Sequence, residues 1–167
     1  MDFHAGSFRA ARSLLGLGQA DVSARADVDR NVVFRVEAAK YQRMLRPQAS
    51  KLQRFYEKEG IEFVAATAEM GPGIRWDTGK VNDLVERAQV RAGRAIAGLF
   101  QADLAARAKV SQSLISRFAS GKTQSLPAEE FEKIAIALKE AGVVLIDEPK
   151  KREAGVLLER ASEKTSK

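Results

Sequence analysis

The chain repeats itself at a fixed offset of 82 residues, and nothing else in it constrains the fold as strongly. Arg9-Ala10-Ala11-Arg12 recurs as Arg91-Ala92-Gly93-Arg94, Gln19-Ala20-Asp21 as Gln101-Ala102-Asp103, and Ala24-Arg25-Ala26 as Ala106-Arg107-Ala108. The register then runs on without a gap, so that Arg35 falls on Arg117, Lys40 on Lys122, Gly60 on Gly142 and Gly73 on Gly155. Common solenoid repeats are shorter than this, and two copies fall short of the three or so that such arrays need. Each copy therefore reads as one small domain, with boundaries at 1–78 and 79–160 and a charged tail at 161–167. Whatever one copy does, the chain is expected to do twice.

Each half is long enough for a modest core, and the chain has no cysteine with which to staple one. That excludes disulfides, thiolate metal sites and a cysteine nucleophile, and suits a reducing cytosol. No apolar run approaches a membrane span, and Met1-Asp2-Phe3-His4 lacks the plan of a signal peptide, so the expected location is cytoplasmic. The net charge of +6 is shared evenly, at 13 Lys+Arg against 10 Asp+Glu in residues 1–82 and 15 against 12 in residues 83–167. A surplus of that size permits polyanion binding without demanding it.

The second copy shows the organisation most clearly. Asn82-Asp83 can cap a helix whose apolar residues Leu84, Val85, Ala88, Ala92, Ala95 and Ile96 recur at helical spacing, and Gly98 ends it. A short helix over Gln101 to Ala108 follows, then Ser111 as N-cap of another over Gln112 to Ala119. Leu114, Ile115 and Phe118 give that helix its buried face and leave Gln112, Ser113, Ser116, Arg117 and Ser120 outward. After Gly121 and a polar loop, Pro127 opens a fourth helix.

Each copy then changes character. Gly60-Ile61-Glu62-Phe63-Val64 and Gly142-Val143-Val144-Leu145-Ile146 read as strands, and Gly73-Ile74-Arg75-Trp76 and Gly155-Val156-Leu157-Leu158 as their partners. Met70-Gly71-Pro72-Gly73 is expected to supply the first hairpin turn and Glu148 to Arg152 the second. An isolated hairpin is marginal, so these must pack on their own helices, pair with each other, or pair with a second chain as a homodimer. Asp77-Thr78-Gly79-Lys80 reads as a polar link.

Two short helices joined by a tight turn, the second capped and polar on its exposed side, are the plan that places a helix in the major groove of DNA. The run from Gln101 through Lys109-Val110-Ser111 to Arg117, closed by Gly121-Lys122, resembles the core motif of the Cro/repressor (XRE) family of bacterial and phage regulators. The first copy, from Gln19 through Asp29-Arg30-Asn31 to Arg35 and Lys40, resembles it less closely. The resemblance implies a mainly α chain of two tandem repressor-like helix-turn-helix domains, each ending in a short β-hairpin, that regulates transcription on double-stranded DNA. It implies phosphate contacts from Gln101 and Gln19. Base contacts fall to Gln112, Ser113, Ser116 and Arg117, and in the first copy to Arg30, Asn31, Phe34 and Arg35. Chemistry supports the choice, because Gln or Asn can pair bidentately with adenine, Arg with guanine, and Phe34 can lie against a thymine methyl. Lys122 and Lys40 stand just past the helix, where they can position the backbone without reading sequence.

The sequence departs from the family's pattern in four places. Lys109 and Asp27 stand where the turn usually has glycine, so either a left-handed residue is tolerated or the turn differs. Arg12 and Glu37 match a pair common in the family, but opposite Arg94 the second copy has Ala119, leaving Arg94 to reach a phosphate or to be solvated. Ala39 replaces the closing glycine of the first copy, and Phe34 is apolar on a side that is normally polar.

The bland readings are a solvated face for the Arg and Gln residues, core or hairpin packing for Trp76, and a loose N-terminus for His4. No nucleophile with its base, metal cluster or phosphate-cradling loop is present, so no enzyme and no cofactor are expected. The competing function is a protein-interaction module on the same fold, an antiactivator or recruiter whose first copy binds a protein partner and little or no DNA.

Overall fold

The two copies fold in the same element order. A computed structural model describes residues 4–40 and 43–160; the charged tail 161–167 and the Met1-Asp2-Phe3 part of the leader reading lie outside them. The first half runs α1 (Ala5–Leu14), α2 (Gln19–Ala26), α3 (Arg30–Glu37), α4 (Arg46–Lys58), β1 (Ile61–Val64) and β2 (Met70–Asp77). The second runs α5 (Val85–Ile96), α6 (Gln101–Ala108), α7 (Gln112–Ala119), α8 (Ala128–Glu140), β3 (Val143–Glu148) and β4 (Glu153–Glu159), with a 3-10 turn over Pro149–Lys151 between the last two. The described chain is thus mainly helical with one small antiparallel sheet. None of its helices is long and apolar enough to cross a membrane.

Two of the three fates open to the hairpins are realised together: they pair with each other, and each also packs on helices of its own half. The sheet order is β1-β2-β4-β3, antiparallel throughout. Ile74 faces Val156, its own equivalent in the other copy, and the flanking pairs Gly73 with Leu157 and Arg75 with Gly155 exchange under the same offset. Equivalent residues face each other across antiparallel strands only about a local two-fold axis, so the halves are related by a pseudo-dyad between Ile74 and Val156. The repeated glycines make this junction. A Cβ on Gly155 would stand 2.9 Å from the Ile74 carbonyl oxygen, and one on Gly73 would run into the Val156 carbonyl oxygen.

Helices α1 and α5 pack on each other across the same axis. Phe8, Leu14, Ile74, Val90, Ile96 and Val156 belong to one apolar cluster that spans both halves. Each such side chain removed from water stabilises the fold by roughly 1.5–3 kcal/mol. Of the expected core, Leu14, Val22, Val28, Val33, Val36, Ile96, Leu104, Ile115 and Phe118 are buried, whereas Leu17, Leu99 and Val110 are half-buried. Trp76 is buried on β2.

Three local expectations are corrected, and the polar link after β2 takes a definite form. The first hairpin turn is 65–69, because Thr67 accepts from the Met70 amide through Oγ1 at 3.1 Å; Met70-Gly71-Pro72-Gly73 belongs to β2, where the extra residue forms a bulge in the pairing with β4. Helix α5 starts at Val85, since the Asp83 carboxylate is drawn to Arg87 at 2.7 Å and Arg91 at 3.0 Å. The stretch after β2 is a fastened turn, with the Thr78 amide on the Arg152 carbonyl at 2.9 Å and the Gly79 amide on Asp77 at 2.7 Å. His4 is the N-cap of α1, its Nδ1 accepting from the Ser7 amide at 3.2 Å.

Candidate nucleic-acid interface

Each half presents a pair of eight-residue helices joined by three residues, α2 to α3 by 27–29 and α6 to α7 by 109–111. The joints are alike in backbone. Asp27 and Lys109 both adopt left-handed conformations, with φ of 52° and 56°, so the turn keeps its shape and a non-glycine residue bears it. The next helix is then capped by a side-chain oxygen: Ser111 Oγ accepts from the Leu114 amide at 3.1 Å, and Asp29 Oδ1 from the Asn31 amide at 2.7 Å. Ala39 is left-handed as well, with φ of 56°, where Gly121 closes the second copy at 78°.

Burial of Ile115 and Phe118 turns the rest of α7 outward, and Gln112, Ser113, Ser116 and Arg117 are all exposed. Arg117 has no ion-pair partner among the described residues. Lys122 is exposed in the loop beyond, and Gln101, half-buried, leads α6 with the free amides of that helix. The loop is held by a residue that sequence reasoning did not single out. Arg87 donates from Nε to the Phe118 carbonyl at 2.8 Å and from Nη2 to the Thr123 carbonyl at 3.0 Å, while its guanidinium lies 5.2 Å from the Phe118 ring. A contact 31 residues distant leaves no local signal.

In the first copy Arg30, Asn31, Arg35 and Lys40 are exposed on and just beyond α3. Phe34 stands among them at 50 % exposure, with Lys40 Nζ 5.6 Å from its ring. Gln19 is differently placed from Gln101, because its amide donates to Glu37 Oε2 at 3.0 Å.

That difference traces to one carboxylate. Glu37 is 4 % exposed and takes a two-pronged bond from Arg12, Nε at 2.7 Å and Nη2 at 3.0 Å. Burial works against the charged Arg12, but the bonds to Glu37 outweigh it and hold the guanidinium above its ordinary pKa. In the second copy Ala119 stands in the place of Glu37. Arg94 there is half-buried: Nη1 donates to the Leu99 carbonyl at 2.9 Å and Nε is buried with no acceptor. Burial, then repulsion from Arg12, lowers its pKa. Phe100, 77 % exposed at the N-cap of α6 beside Gln101, was also not singled out from sequence. Among the described residues no cluster of His, Asp or Glu could hold a metal ion.

The pseudo-dyad that carries β2 onto β4 carries α3 onto α7, so the two exposed helices are related by rotation and not by translation along a line. No protein-family model matches this chain, and neither a curated protein nor a solved structure does.

Proposed function

We propose that the chain is a sequence-specific double-stranded DNA-binding transcriptional regulator, with two tandem helix-turn-helix units built on α2–α3 and α6–α7. The observation that carries this reading is the α7 face: Gln112, Ser113 and Ser116 are exposed beside Arg117, which has no ion-pair partner among the described residues, on a capped helix flanked by Gln101 and Lys122. Donors and acceptors so placed suit base edges, with phosphate contacts on either side to set the register.

The pseudo-dyad favours one arrangement of the site. Two heads related by rotation read two half-sites in opposite orientation, about one helical turn or a multiple of it apart. Because Arg30-Asn31-Phe34 differs from Gln112-Ser113-Ser116, the half-sites differ in sequence, and one chain does the work of a dimer at high effective concentration.

Mobility shifts on the protein's own upstream DNA at two salt concentrations, followed by footprinting, test the reading. Protection of inverted, unequal half-sites, one pair for each chain bound and weakening with salt, is expected. Equal affinity for random DNA at both salts would overturn it.

Phe34 favours a second reading for the first copy alone. An apolar ring half exposed on α3, with Gln19 engaged by Glu37, suits a protein partner as well as a thymine methyl. If Arg30→Ala and Arg35→Ala leave DNA affinity unchanged, that reading takes over the first copy.

A further inference from the structure

The internal repeat supplies its own control for reading the surface, since every position of one half has an equivalent in the other. Along α8, Glu132, Ala135, Ile136 and Lys139 share one face, and with the β3 edge they line an open apolar groove that includes Val144 and Leu145. Ile136 is 50 % exposed there. The equivalent face of α4 is polar, with Ser50, Gln53, Arg54 and Glu57, and Gln53 donates to Glu57 at 2.8 Å. The edge strands differ in the same sense. β1 is four residues long and carries Glu62, whereas β3 is six residues long and carries Val144 at that place, within the run Val143-Val144-Leu145-Ile146. Proteins blunt exposed sheet edges with short strands and charges, and β1 has both while β3 has neither through its first four residues.

We propose that this groove is the docking surface for a second copy of the same chain, with α8 against α8 and the β3 edge against the β3 edge about a two-fold axis. The charges identify the occupant. Glu132 and Lys139 are seven residues apart, two helical turns, so they flank Ala135 and Ile136 on one face. Antiparallel packing of two such helices about Ala135 and Ile136 sets Glu132 of each against Lys139 of the other, twice. Neither side chain has an ion-pair partner within the chain among the described residues, although Lys133 and Glu129 on the same helix pair at 3.6 Å. Ala135 lets the helices approach closely. The Gly142 carbonyl accepts from the Glu159 amide at 2.7 Å, and the alternation of an antiparallel ladder then leaves the backbone groups of Val143, Leu145 and Asp147 on the open side. Pairing there would extend the four strands to eight.

Sedimentation velocity of the full chain without DNA, over a hundredfold range of concentration, tests this independently of the proposed function. A species of twice the chain mass is expected. Ile136→Arg, which installs what α4 already carries at Arg54, should abolish it with the far-UV spectrum unchanged. Lys139→Glu alone and Glu132→Lys alone should each be monomeric, and mixing the two should restore a dimer, since each then offers the charges the other lacks. A wild type that is monomeric throughout would overturn the proposal and leave the groove to a different protein or to none. A dimer indifferent to Ile136→Arg, or to the charge reversals, would overturn it equally.

Discussion

Arg9 donates its Nε to the carbonyl oxygen of Ala95 at 3.2 Å, tying α1 to α5 across the pseudo-dyad. The axis repeats the bond with the roles exchanged: Arg91 donates its Nε to the Ser13 carbonyl at 3.0 Å, and residues 91 and 13 are the equivalents of 9 and 95. Each guanidinium reaches out of its own half to satisfy a carbonyl near the C-terminus of the other's first helix, where a cation is favoured.

The halves should therefore unfold together. In urea, Trp76 fluorescence and far-UV circular dichroism are expected to trace one transition, and Arg91→Ala should cost about 2 kcal/mol, the loss of hydrogen bonds from a charged donor. Two separated transitions would show that the junction does not couple the halves.

Giving the second copy the carboxylate it lacks should stabilise the protein. Ala119→Glu places an acceptor where Glu37 stands in the first copy, within reach of the buried Arg94 Nε, and relief of that unsatisfied donor is worth on the order of 1 kcal/mol. Denaturant midpoints measure it. The same change should weaken DNA binding, because the new carboxylate would draw in Gln101 as Glu37 draws in Gln19.

On the proposed function, substitutions on and just beyond α7 should separate reading from positioning. Arg117→Ala is expected to cost about 1–3 kcal/mol on the specific site and to relax preference at one base pair, while Lys122→Ala weakens all sequences alike and flattens the salt dependence. Quantitative mobility shifts on specific and random duplexes distinguish the two. Equal loss on both for Arg117→Ala would remove it from base reading.

His4 links stability to pH. Burial, then repulsion from Arg9, holds its pKa below the ordinary 6.5, so the neutral ring is favoured in the folded state, where it caps α1. The unfolded chain binds the proton more readily, so the contribution is complete above 6.5 and is lost as pH falls from there through the folded value. The melting temperature of the wild type should drop across that interval. His4→Asn, which offers a capping oxygen in place of Nδ1 and does not titrate, should show a smaller drop, and as the chain has one histidine the difference is assignable.

How much was legible in the sequence follows from the range of each interaction. The offset of 82 gave the repeat, and apolar spacing, capping residues and glycines gave the helices and the two hairpins, because these signals act over a turn or two of chain. Gln112, Ser113, Ser116 and Arg117 could be placed on the exposed side of α7 since Ile115 and Phe118 fix the opposite side. The Met70 to Gly73 turn was misplaced for the same reason: a bulge answers to the strand across the sheet, and Met70 pairs with Glu159.

Sequence by itself determined that the chain contains one design twice, and which faces of it are polar. Only the tertiary structure decided how the copies meet. Gly73 and Gly155 recur at offset 82 in any arrangement, but their reason is the close approach of β2 and β4, which turns two copies in line into two copies about an axis. Arg9 with Ala95, and Arg87 with Thr123, belong to the same class. Each is a contact between residues far apart in the chain, set by packing of whole elements, and local periodicity carries no trace of it.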